Sequence, residues 1–412
     1  MTSSAHHEAR RPLLLVTGAS GYIGGRLMRA LHDAGARVRC MARRPDELRV
    51  RAPDGVEVVH GDVLDAASLP AALAGVDTAY FLIHAMATPR DFAHEECEGA
   101  RSFAQAALAA KVRRIVYLGG LGSDVGLSTH LASRHEVGRI LRDSGVPTIE
   151  LRASVILGSG SLSFELVRAL VERLPVMLIP RWVRTRTQPI AIGDVIAYLS
   201  AAAEIPVDGS VVVEIGGSDR VSYLDLMREY AAQRGLRRTF IPVPLLTPGL
   251  SGRWLGLVTP VYARVGKKLI DGVRNETVVT STIAAELFPG IVPLGMRASI
   301  AQALSNEDRE FAETRWSDAR SSIGRTQPWG GSSLGSRRVD SRQVSVERPE
   351  DRRGGTSATG SGGSAACWIS SSAARECGAD AATRSRCTPG TRSTSGAWRP
   401  SSRAGCCGCV PR

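Results

Sequence analysis

The sequence predicts an α/β fold: a doubly wound parallel (Rossmann) sheet, a smaller α+β lobe on the substrate side, and a C-terminal tail that cannot build a core. Three observations predict it. Residues 13–28, LLLVTGASGYIGGRLM, carry an apolar strand through a glycine turn directly into an amphipathic helix. Strand and helix patterns then alternate to about residue 155, as successive βαβ units do. Residues 351–412 contain no Leu, Met, Phe or Tyr, and such a stretch is expected to be disordered.

The opening segment carries the clearest chemistry. Gly18, Gly21 and Gly24 are spaced three and three after the strand Leu13–Thr17. This arrangement sets a pyrophosphate on a helix N-terminus. Gly18 permits the tight turn, Gly21 lets the backbone approach the phosphates, and Gly24 lets the helix pack close. Thr17, Gly18, Ser20, Gly21, Tyr22, Ile23 and Gly24 are therefore candidate cofactor-binding residues. The alternative is an ordinary glycine-rich turn between strand and helix.

Further strands are expected at Val38–Ala42, Val56–His60, Thr78–His84, Arg114–Gly119 and Thr148–Ala153. Helices are expected at Tyr22–Ala34, Ala66–Ala74, Phe92–Ala110 and Leu131–Asp143. The right-handed crossover rule collects the strand C-terminal ends on one edge, where ligands bind. Between 160 and 305 the pattern loosens. Helices are expected at Ser163–Leu174, Asp194–Ala203, Tyr223–Arg234 and Ser299–Leu304, with strands at Val211–Ile215 and Phe240–Val243. Prolines at 242, 244, 248, 260, 289 and 293 cut this region into short elements. The apolar stretch 245–258 is either a lid or a buried core segment. The expected organisation is a flexible N-terminus (1–11), a dinucleotide-binding domain (12–158), a substrate-side lobe (159–310), a linker opening a truncated domain (311–350), and the tail.

Composition excludes several classes. The net charge is +12 over 412 residues, and nine arginines against three acids in 351–412 supply half of it. No basic helix interleaved with aromatics is present, so nucleic-acid binding is not expected. Of 52 basic residues only Lys111, Lys267 and Lys268 are lysines, which fits a GC-rich coding sequence. No run of 18 apolar residues exists and the start MTSSAHHEARRP has no apolar leader core, so a cytoplasmic protein without a membrane span is expected. Cys406, Cys407 and Cys409 lack zinc-site spacing, and no histidine follows His135, so no metal site is expected.

The second strand ends in Arg43 and Arg44, where folds that bind NAD usually place an acid for the ribose 2′-hydroxyl. A guanidinium suits a 2′-phosphate, which favours NADP(H) and leaves NAD(H) possible; the alternative is a solvated arginine pair. Farther on, Trp182, Arg184, Arg186 and Gln188 lie between two apolar stretches. Two arginines alternating on an extended segment project to one side, either toward an anionic substrate group or cofactor phosphate, or into solvent.

The glycine motif, Asp62 after the third strand and QPIAIGDV at 188–195 resemble the extended and atypical short-chain dehydrogenase/reductases. FLIHAM (81–86), YLGGLG (117–122), HLASRHEVG (130–138), ELRASVILGSGS (150–161), LPVMLIPRWVRTRTQPIAI (174–192) and ETRWSDA (313–319) are similar to NmrA-like NAD(P)-binding proteins. They most resemble bacterial chains that join such a domain to a C-terminal polyketide-cyclase-like domain. The resemblance covers about residues 12–350. The expected last domain is not recognisable after 350. With GC-rich codons, Cys367–Pro400 admits an adjacent reading frame of alternating apolar residues and turn glycines that resembles it. A frameshift near 350–353 and a natural disordered tail are the two accounts.

The resemblance implies roles for further residues. Asp62 and Val63 would border the adenine, and His84 would lie where the backbone passes the nicotinamide ribose. His84 either bonds a ribose hydroxyl, serves as an acid, or merely caps the strand end. Ser123 stands at the place of the family's catalytic serine, which bonds a substrate carbonyl. The Tyr-x-x-x-Lys pair of active relatives is absent; the equivalent place reads His130-Leu-Ala-Ser-Arg134. That i,i+4 spacing keeps both side chains on one helical face. Arg134 suits a ribose or phosphate but cannot carry a proton. His130 is either a proton donor near neutral pH or a helix-start residue without chemistry. An NAD(P)H-dependent oxidoreductase acting on a small carbonyl or quinone-like substrate is the first expectation, with a homodimer as its expected assembly. A non-catalytic dinucleotide sensor or assembly factor is the rival.

Overall fold

The computed structural model describes residues 11–84, 92–122, 127–243, 275–308, 332–334 and 337–339. Two compact units divide the chain, Met1–Ile323 and Gly324–Arg412. In the first, β1 (Leu13–Thr17), α1 (Tyr22–Asp33), β2 (Arg37–Ala42), α2 (Pro45–Arg49), β3 (Glu57–His60), α3 (Leu69–Leu73), β4 (Thr78–Phe81), α4 (Phe92–Ala109), β5 (Arg114–Gly120), α5 (Thr129–Arg142) and β6 (Thr148–Ala153) alternate. There follow β7 (Ile156–Leu157), α6 (Leu162–Arg173), β8 (Val176–Pro180), β9 (Arg186–Thr187), β10 (Ile190–Ala191), α7 (Ile192–Ala201), β11 (Val211–Ile215), β12 (Val221–Ser222), α8 (Tyr223–Gln233) and β13 (Thr239–Val243). Two more helices, α9 (Ile283–Leu287) and α10 (Met296–Asp308), follow among the described residues. In the second unit the described residues are β14 (Ser332–Leu334) and β15 (Arg337–Val339), paired antiparallel.

The main sheet has seven strands in the order β11-β6-β5-β4-β1-β2-β3, and every pairing is parallel. The expected doubly wound sheet is thus present, and the order reverses between β1 and β4. Strands buried on both faces read as unbroken apolar runs, which is why LLLVT was legible. Alternation divides them. Leu14, Val16, Val38, Cys40 and Val116 pack on the face of α1 and α7, with Leu27, Leu31 and Leu199. Leu13, Leu15, Ala79, Phe81 and Ile115 pack on the face of α3, α4 and α5, with Leu73, Phe103 and Leu141. A third core joins α6, α8 and α10 beneath β8, around Phe164 and Tyr230.

Several expectations are corrected. Val211–Ile215 belongs to the main sheet rather than the second lobe, because it pairs in register with β6. The expected strand Thr78–His84 ends at Phe81, since the Leu82 amide bonds the Thr17 hydroxyl instead of a ladder carbonyl. The expected helix Ala66–Ala74 is a 3₁₀ turn (Ala66–Ser68) and then α3, with Pro70 in the helix's first turn. Helix α2 and strand β8 were not foreseen; β8 pairs in parallel with β13. The arginine segment is not extended throughout: Arg181–Arg184 is a 3₁₀ turn and only Arg186–Thr187 is a strand. The stretch 245–258, the motif 313–319, the tail and Cys406–Cys409 lie outside the described residues.

Glu150 on β6 is fully buried and pairs with both Arg142 and Arg152, the latter at 2.8 Å. Gly138 of α5 makes room for it: a Cβ there would stand 2.4 Å from the carboxylate. We expect Gly138→Ala to lower the urea unfolding free energy by about 1–3 kcal/mol despite alanine's better helix propensity. Gly193→Ala is the contrast. Its Cβ would come no nearer than 4.0 Å to Gln302. It should stabilise by about 0.5–1 kcal/mol in the same assay.

Candidate dinucleotide and proton-transfer site

The site lies at the C-terminal edge of the main sheet, at the β1/β4 reversal, where open α/β sheets bind ligands. Gly18 has φ +65°, and a Cβ on it would stand 2.7 Å from the Leu82 carbonyl oxygen. A Cβ on Gly24 would stand 2.3 Å from the Gly18 carbonyl oxygen. Two of the three motif glycines are thus required by close backbone approach. Gly24 packs on the turn itself rather than on the strand. Gly21 is the N-cap of α1, bonds the Gly18 carbonyl at 2.9 Å, and brings no capping side chain to the helix start. Ser20 is exposed beside it, Ile23 half-buried and Tyr22 buried.

Thr17 serves this edge from behind. Its fully buried hydroxyl donates to the Tyr80 carbonyl at 2.9 Å and accepts from the Leu82 amide at 3.0 Å. Arg43 and Arg44 follow β2, both exposed, and Arg44 pairs loosely with Glu47 at 3.4 Å. Asp62 follows β3, half-buried, and accepts from the Leu64 amide at 3.1 Å. Val63 turns inward against Gly99 of α4.

Beyond β4 the structure assembles a polar cluster that the sequence only half disclosed. The His84 Nδ1 atom lies 2.7 Å from Glu96 Oε1, and its Nε2 atom lies 2.9 Å from His130 Nε2. The two rings meet nearly edge to face, centroids 4.9 Å apart. Ser133 donates its hydroxyl to Glu96 Oε2 at 2.7 Å. The Glu96 side chain is only 6 % exposed, and that of His84 20 %. Burial pushes the Glu96 carboxyl up. The hydrogen bond and charge of His84, the Ser133 hydroxyl and the Arg134 charge more than reverse this and hold it at about 2.

Arg134 shares a helical face with His130 but is turned onto β5. It donates to the Leu118 carbonyl, its guanidinium lies 6.0 Å from the Tyr117 ring centre, and Tyr117 donates its hydroxyl to the Arg134 carbonyl at 3.0 Å. Ser128 caps α5 by accepting from Leu131, and its own amide donates to Asn275 at 3.3 Å. Ser123 lies outside the described residues, as does the side chain of Trp182.

In the second lobe Arg184, Arg186, Arg220 and Arg228 line an open hollow of about 500 Å³. Gln188 is used structurally, donating to the Gly217 carbonyl at 2.7 Å and accepting from the Val279 amide at 3.0 Å. A larger hollow of about 690 Å³ runs along α1 and α7 and touches none of the candidate residues.

Glu96 and Ser133 were missed in the sequence. Glu96 carried a signal: it stands on the same helical stripe as Ala100, Phe103 and Ala107, all buried. A carboxylate on an apolar stripe must find partners inside the fold.

Known proteins resemble parts of this chain in sequence and share its fold. Residues 11–163 match the NmrA-like family. A (4-alkanoyl-5-oxo-2,5-dihydrofuran-3-yl)methyl phosphate reductase of Streptomyces griseus is 36 % identical over 172 residues, 40 % of this chain and 57 % of that protein. The chain therefore spans little more than half the length of that relative. A ceramide reductase of Caulobacter vibrioides is 29 % identical over 267 residues, 62 % of this chain and 83 % of that protein. Two solved structures share the fold. A Citrobacter triphenylmethane reductase complexed with NADP(H) has a TM-score of 0.58 at 18 % identity, over 71 % of this chain and 99 % of that one. An Escherichia coli NADPH-dependent quinone oxidoreductase complexed with NADPH has a TM-score of 0.56 at 20 % identity, with the same coverage. No helix among the described residues is long and apolar enough to cross a membrane. Over residues 11–163 the chain is therefore similar to the NmrA-like family.

Proposed function

We propose that this protein is an NADP(H)-dependent oxidoreductase of the atypical short-chain type, acting on a small, partly apolar carbonyl or quinone-like substrate. The observation that carries the reading is the glycine turn seated on the end of β4 at the sheet reversal. The residues fit a dinucleotide. The start of α1 presents backbone amides without a capping side chain, and Arg43 and Arg44 suit a 2′-phosphate at the end of β2. Thr17, Gly18, Ser20, Gly21, Tyr22, Ile23 and Gly24 would form the phosphate and core contacts; Asp62 and Val63 would border the adenine, and His84 the ribose. The bound nicotinamide would supply the hydride. Ser123, by its place in the motif, would polarise the acceptor oxygen.

The hollow lined by Arg184, Arg186, Arg220 and Arg228 suits an anionic substituent on the substrate. A relative named as reducing a methyl phosphate ester is in keeping with that. Residues 311–350 are read as the start of a polyketide-cyclase-like domain, on the motif ETRWSDA. The rival is a dinucleotide sensor without turnover, and the absent Tyr-x-x-x-Lys pair favours it.

Parallel fluorescence titrations of the full chain with NADPH and NADH test the reading. NADPH should bind about tenfold more tightly or better, since a charge-assisted contact to the 2′-phosphate contributes about 1.5–3 kcal/mol. The doubly substituted Arg43→Ala, Arg44→Ala protein should lose that preference and keep its NADH affinity. Equal binding by the wild type removes the arginine assignment. Binding of neither by folded protein removes the oxidoreductase. NADPH binding without oxidation by quinone and aldehyde acceptors leaves the sensor.

A further inference from the structure

We propose that Glu96, His84 and His130 form a proton relay that delivers a proton to the substrate oxygen as hydride arrives at its carbon. The proposal deepens the oxidoreductase reading and rests on it. The three groups come from separate parts of the chain: the segment just after β4, α4 and the first turn of α5. They stand in series at the ligand edge of the sheet, with contacts of 2.7 Å and 2.9 Å.

The chemistry of each contact restricts the protons. Glu96 is ionised and can only accept, so His84 holds its Nδ1 proton toward it. Between the two Nε2 atoms there is room for one proton, because one nitrogen must donate and the other accept. The pair therefore takes up or gives up one proton as a unit. Its loaded form is a His84 imidazolium between the Glu96 carboxylate and a neutral His130 carrying its proton on Nδ1. A carboxylate needing only burial partners would be served by Ser133 and His84. The second histidine in line adds a mobile proton.

The step balances. His130 gives its Nδ1 proton to the substrate oxygen, and its Nε2 atom takes the proton from His84 Nε2. Hydride on carbon and this proton on oxygen turn a carbonyl into an alcohol, the reduced dinucleotide being the two-electron donor. Glu96 keeps its charge throughout, so the cluster passes from one net positive imidazolium to two neutral rings. His130 is the catalytic residue in this scheme. His84 and Glu96 position and load it, and Ser133 fixes the carboxylate.

Among the described residues, the charged and titratable groups around the pair set its affinity for the proton. Glu96 on α4 favours the cation. Arg134 on α5 opposes it, as does the positive end of the α5 dipole at His130. Tyr117 of β5 is neutral, its phenol pushed up by burial, and the Cys97 thiol on α4 is likewise pushed up. Removing the Glu96 charge therefore lowers the pH at which the pair gives up its proton.

Nitrogen-15 NMR of the histidine rings in the full chain tests this without turnover. Wild type should show His84 and His130 titrating together, with one shared midpoint and one proton. Glu96→Gln should move that midpoint down by about one pH unit or more. His130→Gln, at a half-buried position, should leave His84 titrating alone and serves if the buried substitution unfolds the chain. NADPH titrations on the same samples separate the two ideas. If NADPH binds and the midpoint stays put in Glu96→Gln, or the two rings each take a proton of their own, the relay is wrong and the oxidoreductase stands. If wild type does not bind NADPH, the oxidoreductase reading falls and takes the relay's role with it.

Discussion

The molecule depends on one close approach, that of the glycine turn to the end of β4. Gly18 stands where a side chain would strike the Leu82 carbonyl, and Gly24 where one would strike the Gly18 carbonyl. Thr17 fastens the same seam with two hydrogen bonds, one to Tyr80 and one to Leu82. These contacts end β4 at Phe81 and turn the chain away from the ladder. That early exit brings His84 within reach of α4 and α5. The compact turn and the polar cluster are consequences of the same backbone approach.

Two buried glutamates then show how one cost is met in two ways. Glu150 is enclosed by Arg142 and Arg152, cations that never release a proton, and its role ends with the fold. Glu96 is enclosed by a hydroxyl and an imidazole. Leaving either carboxylate without partners would cost several kcal/mol. Only the second set of partners can change charge within the ordinary range of pH. Burial alone therefore does not mark a functional carboxylate; the identity of its partners does.

The strands of the main sheet were legible because burial on both faces leaves uninterrupted apolar runs, as in LLLVT. The glycine turn was legible because its spacing reflects backbone collisions. The second lobe was harder. Its strands β7, β9, β10 and β12 are two residues long, too short for any alternation to register. β11 reads VVVEI, a short strand by composition, but its place beside β6 is a long-range pairing that no local pattern encodes. In the site, His84 and His130 drew attention by residue type and position. Glu96 did not, because a histidine and two acids cluster at 94–96, and only the stripe through Ala100 and Phe103 separates the inward Glu96 from the exposed His94 and the half-buried Glu95.

The pairing of His130 with Arg134 then has a physical logic. An arginine one turn below the proposed proton donor would take no part in the transfer, since its own proton is never released. Its charge acts on Glu96, helping to keep that carboxylate ionised although it is buried. An ionised carboxylate holds the Nδ1 proton of His84, and that hydrogen bond in turn aims Nε2 at His130. Arg134 is itself fixed by the Leu118 carbonyl and by Tyr117, so its field is set by β5. In the proposed relay the fixed cation biases the carboxylate, the carboxylate orients one imidazole, and that imidazole sets the proton on the next. A tyrosine at 130 would need a neighbouring cation to lower its pKa into the working range, whereas an imidazole already titrates there. On that proposal a histidine in the first position needs only a permanent charge in the second, and the helical spacing that places them on one face serves the relay.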